Sequence, residues 1–448
     1  MNPTHAAGQE GQALPLAMVL LVAVAAIVFF MFNSGQLTQE KLRLTNTADA
    51  VAYSAGVFEA RILNYDAYTN RAIIANEIAI GQAVGLASWG KYVETTAKNI
   101  RPYIRLIPYV GQYLAEMLNR LRTVMDYFTE AVSYTIPIHD AAIQALARSQ
   151  TLMHGPGDSV ALSNRWLVME RVARENDPEA RLDQRLLADD FRGFTQRYSS
   201  KEERTRMGQV VHDSREAFLR SRNWDFSLVL LCSGIRLARR GSAELIDLTE
   251  GWKSMDTLSI HVYRVRRFRC GSSERAIGYG TAFSQDELDD DEYTYAGSRT
   301  TNPRASDRAD SSEGIANGFD PAPYSIAGGA IPEFQELSES ALKQDDPRTH
   351  ITVRMTKPRR SQRYSGGNSI IQPAGRLDLY QGALVGDESA AIARAEVYFE
   401  RPDGSNPLHP GREELGSLFN PYWQTRLAPI PASERIAAQR RQGSAQLP

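Results

Sequence analysis

The twenty residues from Ala13 to Phe32, ALPLAMVLLVAVAAIVFFMF, carry no charge and are interrupted only by Pro15. An α-helix of this length spans about 30 Å, the hydrocarbon thickness of a bilayer. Pro15 falls in the first turn of that helix, where its missing N–H costs little. The sequence therefore predicts one transmembrane helix, at 13–33, after a short N-terminal segment, 1–12.

A cleaved signal peptide is the alternative explanation of the apolar run. Such a peptide carries a basic region and an apolar core of about 7–15 residues before a small-x-small cleavage site. The first twelve residues here contain no Lys or Arg, and the apolar run is longer than that core. A membrane anchor is therefore favoured, although Ala23-Val24-Ala25 does fit the cleavage pattern.

The charges next to the span bear on its orientation. Lys41 and Arg43 are the first basic residues, and both follow the span. The positive-inside rule would place them in the cytoplasm, but the rule weakens when a long domain follows. Charge alone thus favours, weakly, a cytoplasmic C-terminal part.

A second helical pattern continues directly from the span. No proline occurs between Pro15 and Pro102, and apolar residues recur with a period of 3.5 from Leu37 to Ala83. We therefore predict one continuous helix from about Leu14 to at least residue 80, with a stalk at 34–100. Its apolar stripe needs a cover, which is either the protein's own domain or neighbouring subunits.

Seven residues of this stripe are predicted to form an interface. They share the helical spacing and an apolar or aromatic side chain: Leu44, Ala48, Val51, Ala55, Phe58, Ile62 and Tyr65.

Beyond the stalk, the pattern changes from helical to strand-like. Segment 101–225 is predicted to be helical, and its block at 110–134 has an apolar face. Alternating apolar residues around 258–263, 351–355 and 393–399 indicate strands. The predicted fold class is therefore α+β, with an antiparallel sheet in a domain at 226–431. Polar composition predicts a flexible insertion at 284–330 and a disordered tail at 432–448.

Composition limits the partners. The chain has 448 residues, a net charge of −2 and 42% hydrophobic residues, which is ordinary for a globular protein and indicates no general affinity for nucleic acid. One basic run contains Arg264, Arg266, Arg267 and Arg269, and we interpret it as a solvated strand face. The acidic run Asp286 to Glu292 lacks the spacing of an EF-hand, and its role stays open.

The two cysteines, Cys232 and Cys270, allow one disulfide if the domain is exported. The alternative is a pair of buried free thiols.

No motif for catalysis appears. The seven histidines are scattered, and no phosphate-binding loop, dinucleotide turn or nucleophile elbow is present. We therefore predict no catalytic residue, no cofactor and no metal site.

The N-terminal region resembles a known family. GQALPLAMVLLVAVAAIVFFMFNSGQL, followed by LTNTADAVAYSA and ARILNYDAYTNRAIIANEIA, is similar to the start of TadG-like proteins of the Flp (Tad, tight-adherence) pilus. The later AEVYFERP and GSLFNPYWQTRL resemble pieces of longer members. The resemblance implies a single-pass bacterial inner-membrane protein with a cytoplasmic N-terminus and a periplasmic C-terminal domain. For the orientation of the span, we give this resemblance more weight than the positive-inside rule applied to Lys41 and Arg43.

The same resemblance implies a pilin-like or assembly component, whose partners are the lipid bilayer and, through the stalk helix, other pilus or assembly-complex subunits. No nucleic acid and no small-molecule substrate are expected. Two alternatives stay open: a membrane-tethered periplasmic hydrolase with an unrecognised site, and a minor pseudopilin of a type II secretion system. A cleft with converging acids or histidines would favour the enzyme, and a smooth domain with an exposed apolar stripe on the stalk would favour assembly.

Overall fold

The computed structural model describes residues 13–154, 160–266, 269–285, 288–316, 330–363, 388–401 and 414–442. The predicted N-terminal segment 1–12 lies outside these residues. So do Asp286 and the glutamate after it in the acidic run, part of the predicted insertion (317–329) and the end of the predicted tail (443–448).

The described residues form the following helices: α1 (Ala13–Ile104), α2 (Gly111–Ser133), α3 (Thr135–His154), α4 (Val160–Asn176), α5 (Phe191–Phe194), α6 (Lys201–Asp213), α7 (Ala217–Arg220), α8 (Ser298–Thr301), α9 (Pro303–Ala309), α10 (Glu339–Leu342) and α11 (Ala432–Arg441).

The strands are β1 (Arg181–Leu182), β2 (Ala188–Asp189), β3 (Thr195–Tyr198), β4 (Trp224–Leu230), β5 (Ser233–Ile246), β6 (Gly251–Arg266), β7 (Arg269–Phe283), β8 (Phe334–Leu337), β9 (Thr349–Pro358), β10 (Glu388–Phe399) and β11 (Trp423–Leu427). Long N-terminal helices and antiparallel sheets in the C-terminal part confirm the predicted α+β class.

Helix α1 is continuous over 92 residues. It passes from the apolar span into the stalk without a break, which confirms the predicted continuous helix. It ends two residues after Pro102, because a proline cannot donate the helical hydrogen bond and obstructs the preceding turn. Helices in proteins owe most of their stability to tertiary packing and not to intrinsic propensity, so the outer part of α1 depends on packing.

The chain forms two compact units from interleaved segments. The first comprises Met1–Tyr65, Gly155–Thr195 and Leu337–Pro448, and the second comprises Asp66–His154 and Gln196–Glu336. Helix α1 thus contributes its first part to one unit and its second part to the other. Sequence patterns gave consecutive domains instead, because they record local periodicity and not which distant segments pack together.

The first unit is built on a sheet in the order β1-β9-β10-β11, with β2 also paired to β9. Its pairings are antiparallel, as in the register Ile351↔Ala395. Helices α1 and α4 contribute to a hydrophobic core with this sheet. Part of the predicted disordered tail is helix α11, whose Glu434 accepts hydrogen bonds from Thr352 and Arg394 at 2.7 and 2.6 Å.

The second unit is built on the antiparallel meander β4-β5-β6-β7. Helix α1 packs on one face, where Gly81 meets the ring of Trp252 so closely that a Cβ atom would lie 2.9 Å from it. Helix α9 packs on the other face, where Ala305 and Ala309 join a core cluster with Met255. The described part of the predicted insertion 284–330 is therefore ordered against this sheet.

Candidate assembly surfaces

The apolar span at the start of α1 is exposed from Ala13 to Phe32, except for the half-buried Phe29. In its most apolar stretch, none of the residues is buried against the rest of the chain. Among the described residues, α1 is the one helix long and apolar enough to cross a membrane. Such an exposed apolar surface is stable in the hydrocarbon core of a membrane and not in water.

The first four residues of the predicted interface lie in the protein's own core. Leu44, Ala48, Val51 and Ala55 are at most 1% exposed. They belong to one cluster with residues of α4, β9 and β10, namely Met169, Ala173, Ile351, Val353, Met355, Ala393 and Ala395. The stripe could have been covered by the protein's own domain or by neighbouring subunits. In this part of α1, the protein's own domain covers it. A partner could reach these side chains only if the core opened.

The remaining three predicted residues differ in exposure. Ile62 is buried, Phe58 is half-buried, and Tyr65 has 36% of its surface exposed. Contact of the stripe with other subunits stays a prediction for these positions, and Tyr65 is the most accessible of them.

Buried charges anchor α1 within the first unit. The ammonium of Lys357 on β9 contacts Glu40 at 2.7 Å and Asp177 at 3.0 Å. Arg165 on α4 bridges Glu59 of α1 and Asp189 of β2. Such charges are tolerated inside a protein only when they are paired, so each pair fixes how the helix lies on the sheet.

Polar contacts also hold α1 within the second unit. Ser88 donates to Asp256 at 2.9 Å, and the same carboxylate receives two hydrogen bonds of 2.8 Å from Arg222. His154 of α3 lies 2.7 Å from Asp66. No sequence pattern predicts these pairs, because the two partners are far apart along the chain and follow no motif.

Two carboxyl groups on α1 have strongly raised pKa values. Burial raises the pKa of Glu59 to about 7, with Arg165 opposing the shift. Burial likewise raises the pKa of Glu77 to about 8, although the indole N–H of Trp252 favours the ionised form. Raised pKa values can mark catalytic acids. Neither side chain has an exposed surface, however, so a substrate cannot reach them in this structure.

A cavity of about 990 Å³ lies in the second unit, beside the end of α1 and the edge strand β7. Its lining includes Tyr103, Ile260, Arg275 and Arg304. Arg304 is already bonded to the carbonyl of Glu274, and Arg275 stacks over Tyr103 with its Cζ 5.1 Å from the ring centre. The described residues also contain no group of three or more His, Cys, Asp or Glu placed to hold a metal ion.

Helix α2 presents large apolar side chains to solvent. It packs through small residues: Gly111, Ala115, Thr129 and Ser133 are its buried positions. Exposed apolar residues of α2 and of the N-cap residue before it recur at helical spacing, and we call them the α2 face: Val110 (the N-cap), Leu114, Met117, Leu121 and Val124. The sequence pattern predicts an apolar face on this helix, and the structure shows that the fold leaves these five residues of it exposed.

The two cysteines meet at one end of the meander. Cys232 lies in the turn between β4 and β5, and Cys270 is the second residue of β7. Their Cα atoms are 5.6 Å apart, within the range that a disulfide requires, and the structure joins them by one.

Comparison with known proteins gives one match. Residues 11–58 match the Tad family model, described as Flp pilus-assembly TadE/G-like. No curated protein and no solved structure matches the chain. The matched segment covers the membrane span and the beginning of the stalk, where the sequence resemblance was found. Together with the exposed apolar span, the match indicates a membrane-anchored protein associated with the Flp pilus.

Proposed function

We propose that this protein is an inner-membrane component of a Flp (Tad) pilus apparatus, with both units in the periplasm, and that it acts by helix packing and not by catalysis. The observation that carries the proposal is the exposed α2 face on a chain whose N-terminus is TadE/G-like. Its partner would be an apolar helix of another subunit of the apparatus.

The spacing of the α2 face supports helix packing. The steps from Val110 to Leu114, Met117, Leu121 and Val124 are four, three, four and three residues, which is the period of a helix–helix seam. Contiguous exposed apolar surface of this kind marks interaction sites in soluble domains.

The helix can offer this surface without loss of its own packing. Its attachment to α1 uses the adjacent side of the helix, where Arg122 donates to Glu94 at 3.0 Å. It also uses Phe128, one turn beyond Val124, which meets Trp89 edge-on at 6.4 Å. Substitutions at the exposed positions Met117 and Leu121 should therefore affect partners more than folding.

The experiment replaces two residues of the α2 face in cells that assemble the pilus. Met117→Asp and Leu121→Asp should abolish pili in sheared-filament blots at normal protein levels, because a charge in an apolar seam is costly. The matched control is Gln112→Asp, an exposed position on the same helix. Normal piliation in both α2 variants would overturn the proposal.

A further inference from the structure

The spacing of the α2 face continues through α3. Every seventh residue from Val110 to Leu152 is apolar and exposed, and we call these residues the heptad seam. Its members beyond the α2 face are Ala131, Ile138, Ala145 and Leu152. Tyr134, which separates the two helices, has helical dihedral angles, φ −66° and ψ −15°. The repeat therefore passes from α2 into α3 and extends over 42 residues, from position 110 to position 152, or six heptads.

A strict period of seven is typical of a coiled coil. A straight α-helix has 3.6 residues per turn, so a seven-residue repeat drifts by about 20° per heptad around it. A repeat that is kept for six heptads stays in contact with one partner only if that partner is a helix that winds with it. The fold leaves all seven residues of the heptad seam exposed, so the partner helix belongs to another molecule.

The membrane anchor fixes the direction of the heptad seam. Helices α2 and α3 run back along α1, since Arg122 of α2 contacts Glu94 and His154 of α3 contacts Asp66. The apolar span and the stalk belong to the same continuous helix. Two copies anchored in one membrane therefore hold α1 in the same direction, and their heptad seams are parallel.

The residues beside the heptad seam also favour a parallel pair. The flanking positions, one and three residues after each seam residue, contain no Asp or Glu. In a parallel pair of two copies, Arg120 lies next to Met125 of the other copy, and Arg148 next to Met153. An antiparallel pair that used the whole seam would instead place Arg120 beside Arg148, which is a contact between like charges.

We propose that the heptad seam pairs in parallel with the heptad seam of a second copy of this chain, so that α2 and α3 form a two-fold symmetric coiled coil. The proposal rests on the proposed function, because it names the partner of the α2 face. A second copy carries the same repeat over the same length, is anchored in the same direction and brings no like charges into contact. Two-fold symmetry places each seam residue against the same residue of the other copy.

The test uses the full-length protein in the membranes of cells that assemble the pilus, with two differently tagged copies. Met117→Cys and Ala145→Cys, in α2 and α3, should each give a reducible dimer that contains both tags. The control is Thr123→Cys, an exposed position on α2 that lies outside the seam and should give several-fold less dimer. All three variants add a third cysteine, so exchange with Cys232 or Cys270 would affect them alike.

Opposite charges at one seam position test the two-fold arrangement. Met117→Asp and Met117→Lys, each combined with Ala145→Cys, should lower the dimer yield several-fold when either variant is expressed alone. Expressing the two together should restore the dimer, because opposite charges then meet at position 117. Equal dimer yields at 117, 123 and 145, or cross-links from 117 to 145 in place of 117 to 117, would overturn the proposal. So would the absence of dimer at 117 and 145, which would leave the seam to a helix of another subunit.

Piliation tests the proposed function separately. Loss of pili in Met117→Asp, without a dimer in the two cysteine variants, would keep the proposed function and reject the pairing of two copies. Normal piliation in Met117→Asp and Leu121→Asp, with a dimer in both cysteine variants, would reject the proposed function and keep the pairing.

Discussion

The indole N–H of Trp252 on β6 points to the buried carboxyl of Glu77 on α1, at 3.4 Å from Oε2. This hydrogen bond joins α1 to the meander β4–β7 within the second unit. It lies one helical turn from Gly81, which packs against the Trp252 ring. Because burial raises the pKa of Glu77 to about 8, the carboxyl is largely protonated in the folded protein at neutral pH.

The first prediction follows from this raised pKa. The unfolded chain releases the Glu77 proton near pH 4.5 and the folded protein near pH 8. The stability that Glu77 contributes is therefore complete below about pH 4.5, falls as pH rises, and is lost above about pH 8. Glu77→Gln keeps a hydrogen-bond acceptor but cannot ionise. The unfolding midpoint of the variant should therefore fall less than that of the parent protein as pH rises from about 4.5 to about 8.

Because Glu59 also titrates in this window, the comparison is between variant and parent at each pH. Glu116→Gln, at an exposed carboxyl on α2, is the matched control and should leave the slope unchanged. If the unfolding midpoints of Glu77→Gln and of the parent changed equally with pH, Glu77 would not be protonated in the folded state.

The second prediction concerns the part of the stripe that the sheet covers. Leu44→Ala removes a buried side chain from the core of the first unit and should lower the free energy of unfolding by about 2–5 kcal/mol. Leu42→Ala, two residues away on the same helix and 58% exposed, should change it by less than about 0.5 kcal/mol. Thermal or denaturant unfolding of the solubilised protein measures both. Equal effects would mean that the sheet does not cover this stripe.

The third prediction concerns the disulfide. Exported protein should carry no free thiol, and its mobility on a non-reducing gel should change on reduction. In the chain-entropy model, closing a loop of 38 residues stabilises by about 3–4 kcal/mol, so the double variant Cys232→Ser, Cys270→Ser should unfold at a lower temperature. Two reactive thiols in protein taken directly from cells would contradict the bridge.

The fourth prediction concerns topology. A periplasmic reporter fused after Leu427 should be active, and a cytoplasmic reporter fused at the same position should be inactive. The same two reporters fused after residue 12 serve as the control. At that position the cytoplasmic reporter should be active and the periplasmic reporter inactive. An active cytoplasmic reporter after Leu427 would place the two units inside the cell and remove the periplasmic part of the proposed function.

Local sequence patterns were sufficient to predict the long helix α1. A charge-free run and a stripe of period 3.5 depend on neighbours three or four residues apart, so they predicted α1 across its length. The same holds for the strands around 258–263, 351–355 and 393–399, whose alternation of apolar residues is a local signal. The resemblance to TadG-like proteins also rests on one contiguous segment, which the family match at 11–58 overlaps.

Tertiary structure alone decided which of these surfaces are covered. Leu44 and Met117 both lie in apolar helical stripes. Leu44 is buried with residues of β9 and β10, two strands that begin at least three hundred residues later, while Met117 faces solvent. The carboxylate of Glu40 likewise meets Lys357 only after the chain has folded. Periodicity specifies that a face is apolar; what packs on that face depends on contacts between distant segments, which no local pattern records.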